Sequence, residues 1–141
     1  MTLYLDASAI VPTLIEEAST AALDDFLAVA DDPMVVSDFA AAEVVSAVSR
    51  LVRMLLTTRR AADELLGEFD DWRASATTSV EFSEADFRVA NLFVRRFDLG
   101  LRAPDALHTA ICRRANLTLV TLDRKLADAA RALGVRVEIP A

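Results

Sequence analysis

Four carboxylates stand where the chain could do chemistry: Asp6, Glu43, Asp105 and Asp123. Asp6 closes the apolar run Thr2-Leu3-Tyr4-Leu5, and Asp123 lies two residues past Val120-Thr121. Asp105 follows Pro104 in what reads as the first turn of a helix, and Glu43 interrupts an apolar run from Phe39 to Leu56. A carboxylate in such a run has no water unless it opens on a cavity or meets a partner. Several close carboxylates repel one another and raise one another's pKa unless a cation neutralises them. All-oxygen ligands suit Mg²⁺ or Mn²⁺. The single His108 and single Cys112 exclude histidine-rich or multi-cysteine zinc sites. The reading requires all four acids to converge on one negatively charged pocket.

Taken singly, these acids have ordinary explanations. Asp105 beside Pro104 and Asp123 after a strand are common ways to begin a helix, and Asp6 suits a turn. His108 and Cys112 share the helical side of Asp105, where core packing or a hydrogen bond to a site residue is the expectation. Arg50, one helical repeat after Glu43, is a candidate contact for a scissile phosphate or for the acid itself. Arg102 and Arg124 are candidate substrate contacts because they neighbour Asp105 and Asp123. For the remaining bases, and for acidic runs such as Asp24-Asp25, solvated surface is the default.

The elements that must position these side chains follow from periodicity and punctuation. Strands are expected at Thr2–Leu5, Met34–Ser37, Thr78–Phe82, Leu117–Thr121 and Val135–Ile139. Between them come a short helix at 7–15 limited by Pro12, then helices from about Ser19, over Phe39–Leu56, Thr58–Ala74 and Ser83–Phe97, from Pro104 to Ala115, and from Arg124 to Leu133. The middle run, apolar almost all round, predicts a helix packed on more than one side. Short apolar strands separated by helices indicate an α/β fold, a parallel sheet of four to five strands covered on both faces. Such sheets bind ligands beyond the carboxyl ends of their strands, where the strand order reverses.

At 141 residues with 54% hydrophobic and 26% charged side chains, the chain reads as one domain over 1–141 and not as a disordered one. Twenty-two acids against fifteen bases give a net charge of -7, which opposes broad binding to polyanions. Fourteen of those bases are arginine, the better residue for bidentate contact with phosphate. The lone cysteine, the absence of a basic leader and the absence of a long apolar run predict a cytoplasmic protein with no membrane partner.

The stretches Leu5-Asp6-Ala7-Ser8-Ala9, Ser37 with Glu43, Arg102-Ala103-Pro104-Asp105-Ala106-Leu107-His108-Thr109-Ala110 and Val120-Thr121-Leu122-Asp123-Arg124-Lys125-Leu126 occur in this order. Together they resemble the PIN-domain ribonucleases, and within them the VapC-type toxins of toxin–antitoxin pairs. The resemblance runs over essentially the whole chain. It implies an acidic quartet of Asp6, Glu43, Asp105 and Asp123 with Ser8 and Thr121 as hydroxyl supports. It also implies a Mg²⁺- or Mn²⁺-dependent endoribonuclease, a homodimer, and an antitoxin partner covering the active-site groove. In that chemistry Asp6, Asp105 and Asp123 are expected chiefly to coordinate metal, directly or through water, Glu43 to coordinate metal or activate water, Ser8 to orient Asp6 or a metal-bound water, and Thr121 to hold the loop carrying Asp123.

Three rivals stay open on the residues alone. A haloacid-dehalogenase-like phosphotransferase would use Asp6 as nucleophile, but it places a second acid two residues on, where this chain has Ser8. A receiver-like domain pairs acids after its first strand, where Asp6 stands alone. A noncatalytic dimeric interaction module would use the acids only to cap helices.

Overall fold

The computed structural model describes residues 1–141. Five short strands form its sheet: β1 (Leu3–Leu5), β2 (Met34–Val35), β3 (Thr77–Thr78), β4 (Thr118–Val120) and β5 (Val137–Glu138). They pair in the order β3-β2-β1-β4-β5, every pair parallel. Seven helices connect them: α1 (Val11–Leu14), α2 (Thr20–Val29), α3 (Asp38–Arg53), α4 (Arg59–Ala76), α5 (Glu84–Val94), α6 (Ala103–Ala115) and α7 (Arg124–Ala132).

Side chains of successive strand residues point to opposite faces, and the two cores follow that alternation. Tyr4 and Leu119 join Ala90, Phe93, Ala106, Ile111, Leu126 and Ala130 beneath α5, α6 and α7. Leu3, Leu5 and Val120 join Ala9, Ile10, Leu23, Ala40, Val44 and Phe69 beneath α2, α3 and α4. Each large aliphatic side chain fully buried in this way contributes roughly 1.5–3 kcal/mol. Both faces are covered, so the central strands β1 and β4 are buried along their whole length, while the edge strands Thr77–Thr78 and Val137–Glu138 are partly exposed.

The chain winds outward from β1 to β3, then returns to place β4 on the other side of β1. The reversal lies between β1 and β4, and the Asp6 amide extends their ladder by donating to the Val120 carbonyl at 3.3 Å. Helices run back against the strands, so the N-termini of α3, α6 and α7 all lie at the carboxyl edge of the sheet.

Several expected elements differ in extent. The 7–15 segment divides into a 3-10 turn at Ala7–Ala9 and the single-turn α1, because Pro12 supplies no amide hydrogen. The third strand is only Thr77–Thr78, not Thr78–Phe82; Val80 and Phe82 leave the sheet and pack against the core under α5 and α6. The last strand shortens to Val137–Glu138, with Val135 drawn into that core. α3 buries Ala40, Ala41, Val44 and Val48 along one face and leaves Val45 exposed, so within this chain it is packed on one side.

An ion pair fixes α5 to α6. Arg114 donates from Nε to Asp86 Oδ1 at 2.8 Å and from Nη2 to Asp86 Oδ2 at 3.0 Å, and Nη2 also reaches the Glu81 carbonyl at 2.8 Å. Asp86 accepts the Ser83 amide as well, at 2.8 Å, which caps α5. Burial pushes the Asp86 carboxyl up, but its bonds to Arg114 and Ser83 prevail and hold it below the usual carboxylate range.

Candidate active site

Asp6 follows the last residue of β1 and is 5% exposed. Its Oδ1 accepts the Ser8 hydroxyl at 2.6 Å and the Ala9 amide at 3.1 Å, and its Oδ2 accepts the Thr121 hydroxyl at 2.6 Å. Burial pushes this carboxyl up; the bonds from Ser8 and Thr121 and the nearby His108 oppose the rise. Ser8 also accepts the Leu122 amide at 2.9 Å, and Thr121 accepts the Asp123 amide at 3.1 Å. The two hydroxyls thus bind Asp6 to the loop that carries Asp123, across the point where the strand order reverses. Asp123 caps α7, its Oδ1 accepting the Leu126 amide at 3.0 Å.

Glu43 lies in the second turn of α3, whose N-cap Ser37 closes the β2 connection by accepting the Ala40 amide at 3.0 Å. Its Oε1 is hydrogen-bonded to His108 Nε2 from α6. The other ring nitrogen, Nδ1, lies 2.6 Å from Tyr4 Oη, which is in turn 2.8 Å from Ser37 Oγ. His108 and Ser37 are buried, and Tyr4 is fully so; its phenol is pushed well above the usual range, mainly by burial. Asp105, one turn before His108, accepts the Arg102 amide at 3.4 Å, and the Arg102 guanidinium lies 3.5 Å from the same Oδ2.

All four acids therefore occupy the carboxyl edge of the sheet, but their side chains do not gather into one pocket. No group of three or more His, Cys, Asp or Glu side chains stands close enough to hold an ion. Each carboxylate instead meets a donor of its own: Ser8 and Thr121 at Asp6, His108 at Glu43, the Arg102 amide at Asp105 and the Leu126 amide at Asp123. Three oxygens on this edge carry no hydrogen bond, Glu43 Oε2, Asp105 Oδ1 and Asp123 Oδ2. As hard, anionic oxygen donors they fit a divalent cation of the Mg²⁺ or Mn²⁺ kind.

The arginines divide. Arg102 sits beside Asp105, and Arg124 is exposed at the first residue of α7, next to Asp123. Arg50, two turns after Glu43 on α3, lines a cleft with Val11, Ile15, Glu17, Ala47, Leu51 and Met54. Cys112 is a buried thiol whose pKa burial pushes well up.

The hydrogen bond expected from His108 to a site residue is its bond to Glu43, whereas Tyr4 was not expected as part of this edge. The available signal for Tyr4 was a lone phenol in an apolar strand of a sheet covered on both faces, since a buried hydroxyl requires a partner.

Comparison with known proteins agrees with the architecture. The sequence pattern of the PIN domain matches residues 3–132. The chain is 33% identical over 141 residues to ribonuclease VapC46 of Mycobacterium tuberculosis, an alignment covering 98% of this chain and 97% of that protein. Among solved structures, it superposes with a TM-score of 0.72 and 17% identity on VapBC2 from Rickettsia felis, bound to a promoter DNA fragment, covering 99% of this chain and 98% of the other. It likewise superposes with a TM-score of 0.71 and 15% identity on VapC20 of Mycobacterium tuberculosis, described as a sarcin-ricin loop cleaving toxin, covering 90% and 94%. At these identities the solved structures show the fold.

Proposed function

The chain belongs to the PIN-domain family, and from that premise we propose that it is a metal-dependent endoribonuclease, the toxin of a toxin–antitoxin pair. The observation that carries the reading is Asp6, a buried carboxylate at the strand-order reversal, held by two hydroxyls that also hold the Asp123 loop. A haloacid-dehalogenase-like phosphotransferase places a second acid two residues after its nucleophile, whereas Ser8 stands there and donates its hydroxyl to Asp6. A module whose acids only cap helices does not explain Glu43, which caps nothing and meets His108.

Asp6, Glu43, Asp105 and Asp123 would hold Mg²⁺ or Mn²⁺, directly or through water. When bound, the cation supplies a water of lowered pKa and neutralises charge on the phosphoryl oxygens. Ser8 and Thr121 fix the Asp6 carboxylate, and Thr121 holds the Asp123 loop. Glu43, with Oε1 occupied by His108, would offer Oε2 to a water and accept its proton as that water adds to phosphorus, the bond to the leaving ribose oxygen breaks and that oxygen takes a proton from solvent. Arg102 and Arg124 lie where they would meet the phosphate backbone. Arg50, two turns beyond Glu43, is the weakest of the three substrate contacts expected from sequence.

The whole chain, 1–141, acts as one PIN domain, a homodimer in the cytoplasm whose cognate antitoxin covers the groove. No helix is long and apolar enough to cross a membrane. The test is incubation with defined RNAs and Mg²⁺ or Mn²⁺, with a chelator and Asp6→Asn as controls. Cleavage that stops in both controls supports the reading, and cleavage that persists in both refutes it.

A further inference from the structure

Glu43 differs from the other three acids in that its partner is a side chain from a distant element, itself held on its other side. Resting on the nuclease reading above, we propose that His108 is a positioning residue for Glu43, and that a one-way chain of hydrogen bonds from the α3 N-cap through Tyr4 sets its tautomer.

Donor accounting gives the direction. Ser37 Oγ accepts the Ala40 amide, so its own proton is free to go to Tyr4 Oη, its other neighbour at 2.8 Å. The Tyr4 proton then goes to His108 Nδ1 at 2.6 Å, which leaves the imidazole hydrogen on Nε2, donated to Glu43 Oε1. The reverse direction would leave the Ser37 hydroxyl proton without an acceptor inside the protein, a costly outcome for a fully buried group. No buried side-chain nitrogen or oxygen lacks a partner.

Packing holds the ring as well. Phe39, one turn before Glu43 on α3, lies 5.1 Å from the His108 ring centroid, and Tyr4 lies 5.5 Å from it. α3 therefore supplies the cap that starts the chain, one ring that walls the imidazole and the carboxylate that ends it. Fixing Oε1 leaves Oε2 as the only oxygen Glu43 can present, which is how hydrogen-bonded outer partners orient a ligating or basic carboxylate.

The chain contains one histidine, so ¹⁵N-histidine labelling reports this ring alone. In the metal-free protein the ring should donate from Nε2 to Glu43 and accept at Nδ1 from Tyr4. Glu43→Gln should move the Nε2 signal and Tyr4→Phe the Nδ1 signal. A proton on Nδ1, or on both nitrogens, would overturn the proposal.

A pair of variants separates positioning from packing. The amide nitrogen of His108→Gln can take the place of Nε2, whereas His108→Asn matches only the Nδ1 side. Calorimetric titration should show His108→Gln binding Mn²⁺ close to wild type and His108→Asn about 10- to 100-fold more weakly. Equal affinities in two folded variants would overturn the proposal, and if either variant fails to fold, the tautomer measurement decides it. Wild-type protein that binds no Mn²⁺ would instead refute the metal-dependent reading, with the tautomer still deciding the role of His108.

Discussion

Thr121 donates to Asp6 Oδ2 at 2.6 Å while its own oxygen accepts the Asp123 amide at 3.1 Å. One side chain thus joins the end of β1 to the loop that starts α7, at the reversal of strand order. Removing that hydroxyl while keeping its shape, as in Thr121→Val, leaves a buried carboxylate oxygen and a loop amide without partners. The expected cost is about 1–3 kcal/mol in urea unfolding, with a larger proportional loss of RNA cleavage. Wild-type stability in this variant would contradict the linkage.

Asp6→Asn should abolish turnover and leave the fold intact. Burial raises the Asp6 carboxyl above its ordinary value of 3.8, so the folded protein binds the proton more tightly than the unfolded chain does. Such a group favours folding below its ordinary value and loses that contribution as pH rises through the folded value. At neutral pH the charged form therefore weakens the metal-free fold; an amide removes that charge, which offsets the acceptor lost where its nitrogen meets the Ser8 or Thr121 hydroxyl. The variant should melt no lower than wild type at neutral pH, and a collapsed melting temperature would count against this account.

The Asp86–Arg114 pair runs the opposite way with pH. Although burial raises the Asp86 carboxyl, its bonds to Arg114 and Ser83 leave it below 3.8 overall, so its stabilisation is present above 3.8 and is lost as pH falls through the lower folded value. Asp86→Asn should cost about 1 kcal/mol at neutral pH, a modest figure because part of Arg114 is screened by solvent. The gap from wild type should close on acidification, as followed by urea unfolding across that range. A gap that widens in acid would refute the assignment.

Mn²⁺ or Mg²⁺ should raise the melting temperature of the wild-type protein, since a ligand bound only by the folded state stabilises by mass action. At a free concentration one hundred times Kd the gain is about 2.7 kcal/mol. Asp6→Asn and Glu43→Gln should show a smaller gain at the same concentration. Equal gains in all three proteins would remove both acids from the metal site.

Asp6 and Asp123 were legible because a carboxylate at or just beyond the end of a short apolar run is a local pattern. Asp105 was legible because Pro104 marks a helix start, and Glu43 because it interrupts an apolar run. The short third strand was not, since Val80 and Phe82 satisfy strand periodicity as well as they satisfy the core under α5 and α6. Nor was the dispersal of the four carboxylates. It depends on which amide, hydroxyl or imidazole lies nearest each one, and those neighbours come from other segments.

From sequence alone follow the α/β class, the parallel sheet and the four acids at its carboxyl edge, because strand and helix periodicities and helix-start residues are properties of neighbouring positions. Only the tertiary structure decided that His108 meets Glu43 across 65 residues of chain, that Tyr4 stands behind it, and that Thr121 joins Asp6 to Asp123. Those relationships arise from placing β4 beside β1 and from bringing the N-terminal turns of α3 and α6 together over the carboxyl edge of the sheet. The hydrogen bonds that orient the site depend on that juxtaposition and leave no periodic trace in the order of residues.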